Sequence, residues 1–228
     1  MSRVYLVRHG QAGSRQNYDT LSELGILQAQ RLGAWFQQEG IVFDHVLSGG
    51  LSRQIQTARH AAREPEIEPR LAEFDLDAVY RGLAPKLYAD NPEFAREYDA
   101  LKAAVQSPDA PQHRQWTTTD VAVFRAWVEE RYSFDGESWP HFKARVRAAM
   151  DVTARVDAGG HLAIFTSATP IGLWLAALLD ANDENAMKLA GACYNASVTT
   201  LRVQQGDVRL ISFNAIPHLD QPMLRTFR

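Results

Sequence analysis

Three short stretches of this chain carry side chains able to do chemistry, and each stands where an apolar run gives out. Arg8-His9-Gly10 follows Val4-Tyr5-Leu6-Val7. Ser48-Gly49-Gly50-Leu51-Ser52-Arg53 follows a run that begins at Ile41. Ser167-Ala168-Thr169-Pro170 follows Leu162-Ala163-Ile164-Phe165-Thr166. Guanidinium forks match the oxygens of a tetrahedral anion such as phosphate, and Arg8 and Arg53 could converge on one such group. His9 lies between them in type and place, a potential nucleophile, and Gly10 frees the backbone to turn there. Taken singly, Arg-His-Gly reads as a polar turn and Arg53 as a solvated helix charge. Only convergence on one place separates a site from those readings.

The elements around these stretches would supply that convergence. The run before Arg8 reads as a strand buried on both faces, the run from Ile41 as a second strand and Leu162–Thr166 as a central one, and in open α/β sheets ligands bind where such strands end. Strand, helix, strand, helix with short links implies parallel strands and right-handed crossovers. Thr20-Leu21-Ser22-Glu23 fits a capping box, with Thr20 opening a helix whose face carries Leu24, Leu27, Leu32, Trp35 and Phe36 and which stops at Gly40. A second helix carries Leu51, Ile55, Ala58 and Ala62, and Arg53 falls in its first turn. Thr169 as N-cap with Pro170 at the first helical position would start a third, nearly all apolar helix. The second and third stretches thus run into helix N-termini, whose free amides favour anions.

Residues 65–69 read as a turn-rich link to Leu71, Glu73 and Asp75. Over residues 82–132 the pattern changes: Pro85, Pro92, Pro108 and Pro111 separate short helical segments, one with Phe94, Tyr98, Leu101 and Val105 on a face. This predicts a helical insertion, either a lid or a purely structural subdomain. A long helix with Phe142, Val146, Ala149 and Val156 follows and ends at Gly159-Gly160. Residues 197–203 and 208–213, joined through Gln205-Gly206-Asp207, read as an antiparallel hairpin.

Composition narrows the function. The chain has 228 residues, enough for one large α/β domain with an insertion. A formal charge of −3 argues against a general nucleic-acid binder, so attraction for phosphate must come from placed arginines. Cys193 is alone, which excludes an internal disulfide and fits a reducing compartment; it reads as a small buried residue. No secretory signal is visible and the apolar run at 173–179 is too short to span a bilayer, so a soluble, cytoplasmic protein is expected. No cluster of His, Cys and carboxylates stands at metal-ligand spacing, so no catalytic metal and no cofactor are expected.

Together the motifs resemble the histidine phosphatase, or phosphoglycerate mutase-like, superfamily. The resemblance rests on Leu6-Val7-Arg8-His9-Gly10, on Leu21-Ser22-Glu23-Leu24-Gly25 with Gln28-Ala29, and on Ser48 to Ala58 with its Arg53 and Gln56-Thr57-Ala58. Leu71 with Glu73, Gly136-Glu137-Ser138 and Asn195-Ala196-Ser197 also fit, so it spans nearly the whole chain. It implies a three-layer α/β/α fold with a mostly parallel central sheet, an antiparallel edge and a helical insertion in a single domain, 1–228. It also implies metal-free phosphoryl transfer on a small phosphorylated molecule. His9 would carry the phosphoryl group as phosphohistidine, Arg8 and Arg53 would hold its oxygens, and Glu73 would serve as general acid and then base, with Asp75 a nearby alternative.

Two departures stand out. The family ends its later central strand with His-Gly, and here Ser167 occupies the histidine's place and joins the phosphate-binding set. His161, six residues earlier in that strand, is about 20 Å away and cannot substitute. His218, in a C-terminal loop, could approach the pocket, though a surface role is the stronger expectation. The loop after Gly10 has Arg15 where the mutases carry asparagine, with Asn17 two residues on, which argues against mutase activity. The expectation is a slow phosphomonoester hydrolase; the alternative is a non-catalytic phosphate-binding or regulatory protein. Specificity would come from the insertion, where Tyr88, Arg96, Tyr98, His113, Arg114 and Trp116 supply aromatic and basic groups. The sequence leaves substrate and oligomeric state open.

Overall fold

A computed structural model describes residues 1–13, 18–106 and 117–227. Arg15, Asn17, Pro108, Pro111, His113, Arg114 and Trp116 lie outside the described residues, as does the side chain of Val105. The chain divides into two compact units, one of Met1–Glu73 with Arg145–Arg228 and one of Phe74–Ala144. No helix among the described residues is long and apolar enough to cross a membrane.

The first unit is built on a six-stranded sheet. Its strands are β1 (Ser2–Arg8), β2 (His45–Ser48), β3 (Glu66–Ile67), β4 (His161–Thr166), β5 (Val198–Gln204) and β6 (Asp207–Ala215), in the order β3-β2-β4-β1-β5-β6. The pairs β1/β4, β2/β4 and β2/β3 are parallel, and β5 and β6 add the antiparallel edge. Four helices of this unit are α1 (Glu23–Gln38), α2 (Ser52–Ala61), α7 (Ala168–Leu178) and α8 (Asp183–Ala192). Val4, Leu6 and Val7 of β1 and Ala163, Ile164 and Phe165 of β4 are fully or almost fully buried, as central strands covered on both faces must be. One core cluster joins Tyr5, Val7 and Phe165 to Leu32 and Phe36 of α1 and Ala58 of α2. Tyr5 and Phe36 meet Phe43 edge to face at 5.5 and 4.8 Å. Each such side chain contributes about 1.5–3 kcal/mol by leaving water.

Backbone contact fixes where α1 starts. A Cβ on Gly25 would overlap the carbonyl oxygen of Gln11, and one on Gly10 would overlap that of Gly25. Only glycine lets the helix lie against the chain just past β1. The N-cap is Ser22, whose hydroxyl accepts from the Gly25 amide at 3.0 Å, and not Thr20 two residues earlier. A similar correction applies to α7. Its N-cap is Ser167, and Pro170 is the third helical residue, where its missing N–H is still among those without an intrahelical acceptor. Within 65–69, Glu66–Ile67 is a short edge strand, not only a turn.

The second unit holds α3 (Leu76–Asp90), α4 (Pro92–Gln106) and α5 (Thr118–Val128). Pro85 lies inside α3 and does not divide it, a correction to the reading of four separating prolines. Phe74 packs on Trp127 at 4.5 Å and on Phe142 at 5.6 Å, giving the unit an aromatic core of its own. Tyr98 stacks on Phe94, and Tyr88 donates to Asp99 at 2.9 Å. Helix α6 (Trp139–Ala148) and a 3-10 stretch (Ala149–Arg155) lead back to β4, in place of one long helix.

Candidate active site

Parallel pairing sets three strand ends side by side. Arg8 is opposite Thr166, and Ser48 is opposite Phe165. The amide of His9 donates to the Thr166 carbonyl at 2.9 Å, one residue before Ser167. On the other side the His9 carbonyl accepts from the Ala196 amide at 3.1 Å and from Asn195 Nδ2 at 3.3 Å. Thr57 ties α2 to this point: its hydroxyl accepts from the Gly10 amide at 3.0 Å and donates to the Arg53 carbonyl at 2.7 Å. Arg53, in the first turn of α2, is thereby set against His9.

The His9 ring has a defined tautomer. Nδ1 is 2.7 Å from the Gly10 carbonyl oxygen, and Nε2 is 3.3 Å from Nε of Arg53. A carbonyl only accepts and a guanidinium only donates, so Nδ1 carries the proton and Nε2 the lone pair. Burial, then the charges of Arg53 and Arg8, hold the pKa of His9 well below the usual imidazole value, with the Gly10 carbonyl acting in the opposite sense. His9 therefore presents a neutral ring with an available Nε2.

Both arginines are buried. Arg8 donates from Nη1 to the Cys193 carbonyl, while its Nε has no partner among the described residues. Arg53 donates from Nη1 to Asp19 at 3.0 Å, and the other oxygen of Asp19 accepts from the Ser52 amide at 3.1 Å. The Tyr18 ring lies 5.1 Å from the Arg53 guanidinium, within cation–π range. The carboxylate of Asp19 thus rests on the same amide and guanidinium that an anion entering at α2 would meet.

Glu73 reaches the other helix start, its Oε2 accepting from the Thr169 amide at 3.2 Å. Its segment is held by Thr166 Oγ1 on the Leu71 carbonyl and by Arg145, which donates to the carbonyls of Arg70 and Ala72 at 3.0 and 2.8 Å. Ser167 is 1% exposed, and its oxygen accepts from Gln54 Nε2 at 2.8 Å. Asp75 is the exposed N-cap of α3, accepting from the Ala78 amide at 2.9 Å.

Arg8, His9, Arg53, Glu73 and Ser167 are thus all placed at one edge of the sheet of the first unit. His161 is at the far end of β4, beside the Tyr5 hydroxyl. Cys193 is fully buried, which pushes its thiol up to about 11. His218 is not at the surface: it is 7% exposed and packed by Trp35, and burial lowers its pKa to about 4 against an opposing hydrogen bond with the Ala196 backbone. Sequence reading passed over Asp19, Gln54 and Arg145. Asp19 and Gln54 carried one signal, their closeness to Leu21-Ser22-Glu23 and to Arg53. Nothing local marked Arg145.

The family model of the histidine phosphatase superfamily (branch 1) matches residues 4–130 and 110–216. A probable phosphoglycerate mutase GpmB of Yersinia pestis is 26% identical over 242 residues, covering 98% of each chain. Among solved structures, Bacillus stearothermophilus YhfR superposes with a TM-score of 0.65 at 18% identity, over 96% of this chain and all of the other. A mycobacterial glucosyl-3-phosphoglycerate phosphatase in complex with inorganic phosphate gives 0.58 at 23% identity, over 95% and 98%. These two likenesses bear on the fold.

Proposed function

The chain belongs to the histidine phosphatase superfamily, and from that premise we propose that it is a metal-independent phosphomonoester hydrolase working through a phosphohistidine. The observation that carries this is the His9 tautomer, with Nε2 unprotonated between the strand end and Arg53. Nε2 attacks phosphorus, the P–N bond forms, and the ester P–O bond breaks. The carboxyl of Glu73 gives its proton to the leaving alkoxide. The same carboxylate then takes a proton from water, whose oxygen attacks phosphorus and breaks the P–N bond, releasing phosphate and restoring Nε2. Arg8 and Arg53 bind the non-bridging oxygens and offset the charge that builds there, so the Arg53 Nε–H passes from His9 to the phosphoryl group as it arrives.

The substrate is a small phosphorylated molecule, a reading supported by the likeness to the probable phosphoglycerate mutase of Yersinia and to the mycobacterial glucosyl-3-phosphoglycerate phosphatase. Turnover is slow, because Ser167 brings no positive charge. Losing one preorganised donor costs about 10²–10³ in rate, of which a serine contact recovers part. Release of phosphate from p-nitrophenyl phosphate and from a phosphometabolite panel, in EDTA, tests the reading. Turnover without metal supports it. Vanadate binding with no turnover supports the non-catalytic reading that Ser167 favours, and isomer interconversion of labelled phosphoglycerate would show a mutase.

A further inference from the structure

The serine at the replaced position does not act alone. We propose that Gln54 is a positioning residue that turns the hydroxyl proton of Ser167 toward the transferring phosphoryl group, so that the two residues together supply a neutral donor where the family resemblance expects a histidine. This rests on the phosphatase reading above.

Gln54 follows Arg53 on α2 and is fully buried. Its amide orientation is fixed from outside. The Leu51 backbone N–H lies 3.3 Å from Oε1, and since a backbone amide only donates, the oxygen must face Leu51 and Nε2 must face Ser167. Nε2 donates to Ser167 Oγ at 2.8 Å. The hydroxyl therefore spends a lone pair on Gln54, and its hydrogen must point elsewhere. Among the described residues the Ser167 hydroxyl is seen only to accept, from Gln54, and to donate to none.

The surroundings say where an acceptor would come from. Ser167 is the N-cap residue of α7, yet its oxygen takes no bond from the helix it caps, unlike the serine of an ordinary N-cap. The Thr169 amide in that first turn is engaged by Glu73. The neighbouring Thr166 carbonyl holds the His9 amide, so Ser167 adjoins the strand end that carries the nucleophile. A buried hydroxyl proton without an acceptor is costly, and an anion oxygen at this edge removes that cost. Gly49 belongs to the same arrangement: a Cβ there would overlap Gln54 Oε1, so the missing side chain is the space the amide occupies. The unbranched position 49, the long amide at 54 and the short hydroxyl at 167 fit one another.

The test compares wild type, Gln54→Met, Ser167→Ala and the double variant in p-nitrophenyl phosphate hydrolysis, with calorimetric affinities for vanadate and inorganic phosphate. A hydrogen bond to a charged group is worth about tenfold or more. Each single variant should lose about tenfold in kcat and in vanadate affinity, while KM and phosphate affinity move by less than about threefold. The double variant should be no worse than Ser167→Ala. Wild-type kcat and vanadate affinity in Gln54→Met, or losses that multiply in the double variant, overturn the proposal and leave the phosphatase reading standing. A wild type that neither hydrolyses nor binds vanadate overturns both.

If thermal melts show Gln54→Met to be unfolded, Gln54→Glu carries the test. A neutral carboxyl keeps an oxygen for Leu51 and an O–H for Ser167, whereas an ionised one draws the serine proton away from the pocket. Its kcat should show an added fall with rising pH that disappears when Ser167→Ala is combined with it. A fall of the same size without the serine reflects charge alone and contradicts the proposal.

Discussion

The Nε–H of Arg53 meets Nε2 of His9 across 3.3 Å, so in the resting protein a guanidinium covers the nucleophile's lone pair. Burial first, then this contact and Arg8, disfavour the imidazolium. A lowered pKa means that His9 stays unprotonated, and able to attack, well below the usual imidazole range. The kcat/KM for p-nitrophenyl phosphate should therefore not fall between about pH 7 and about pH 6 through protonation of the nucleophile. A pH profile with an acid limb near 6.5 that follows the His9 titration by NMR would contradict this.

Removing Arg53 should do two things at once. Arg53→Ala should lower kcat/KM by about 10² or more, since one guanidinium serves binding and charge stabilisation. It should also raise the pKa of His9 toward its ordinary value, because a neighbouring positive charge is gone. Kinetics and an NMR titration of the His9 ring check the pair of effects. A rate loss with an unmoved ring pKa would show that Arg53 does not act on His9.

His218 makes the fold acid-sensitive. Its pKa is lowered from 6.5 to about 4 by burial, so the unfolded chain binds this proton more readily than the native one. The sign follows: stability from this residue is full above about 6.5 and declines as pH falls toward about 4, by roughly 3 kcal/mol in all. Urea titrations at about pH 7 and about pH 5 should show His218→Leu losing about 2 kcal/mol less than wild type over that interval. Equal losses in both proteins would refute the assignment.

Gly25→Ala should cost about 1–3 kcal/mol, because the added methyl meets the Gln11 backbone, which cannot rotate aside as a side chain would. Denaturant midpoints measure it, and an unchanged midpoint would mean that α1 is free to shift against the strand end.

Much of this arrangement was legible in order along the chain. The apolar runs before Arg8 and Ser167 announced buried parallel strands, and the ends of β1, β2 and β4 coincide at the site as strand pairing requires; of the run from Ile41 only His45–Ser48 is a strand, and Val42 is exposed. What was lost came from competition between similar neighbours or from distance. Thr20 and Ser22 are both good N-caps, and backbone contact at Gly25 decides for Ser22. Glu66–Ile67 is two exposed residues long and shows no alternation to read. His218 sits in a polar loop but packs beneath Trp35, a partner far away in sequence. The Gln54 to Ser167 contact spans 113 positions, and no local spacing reports it.

The central claim is that Nε2 of His9 carries the phosphoryl group. Rapid acid-free quenching of the enzyme with a labelled phosphomonoester in EDTA, followed by mass spectrometry of the peptide containing residue 9, tests it directly. The account predicts an acid-labile, alkali-stable phosphoryl adduct on His9 that forms before steady state and is absent, with all turnover, in His9→Ala. Hydrolysis that survives in His9→Ala, or an adduct found on Ser167 instead, would contradict it.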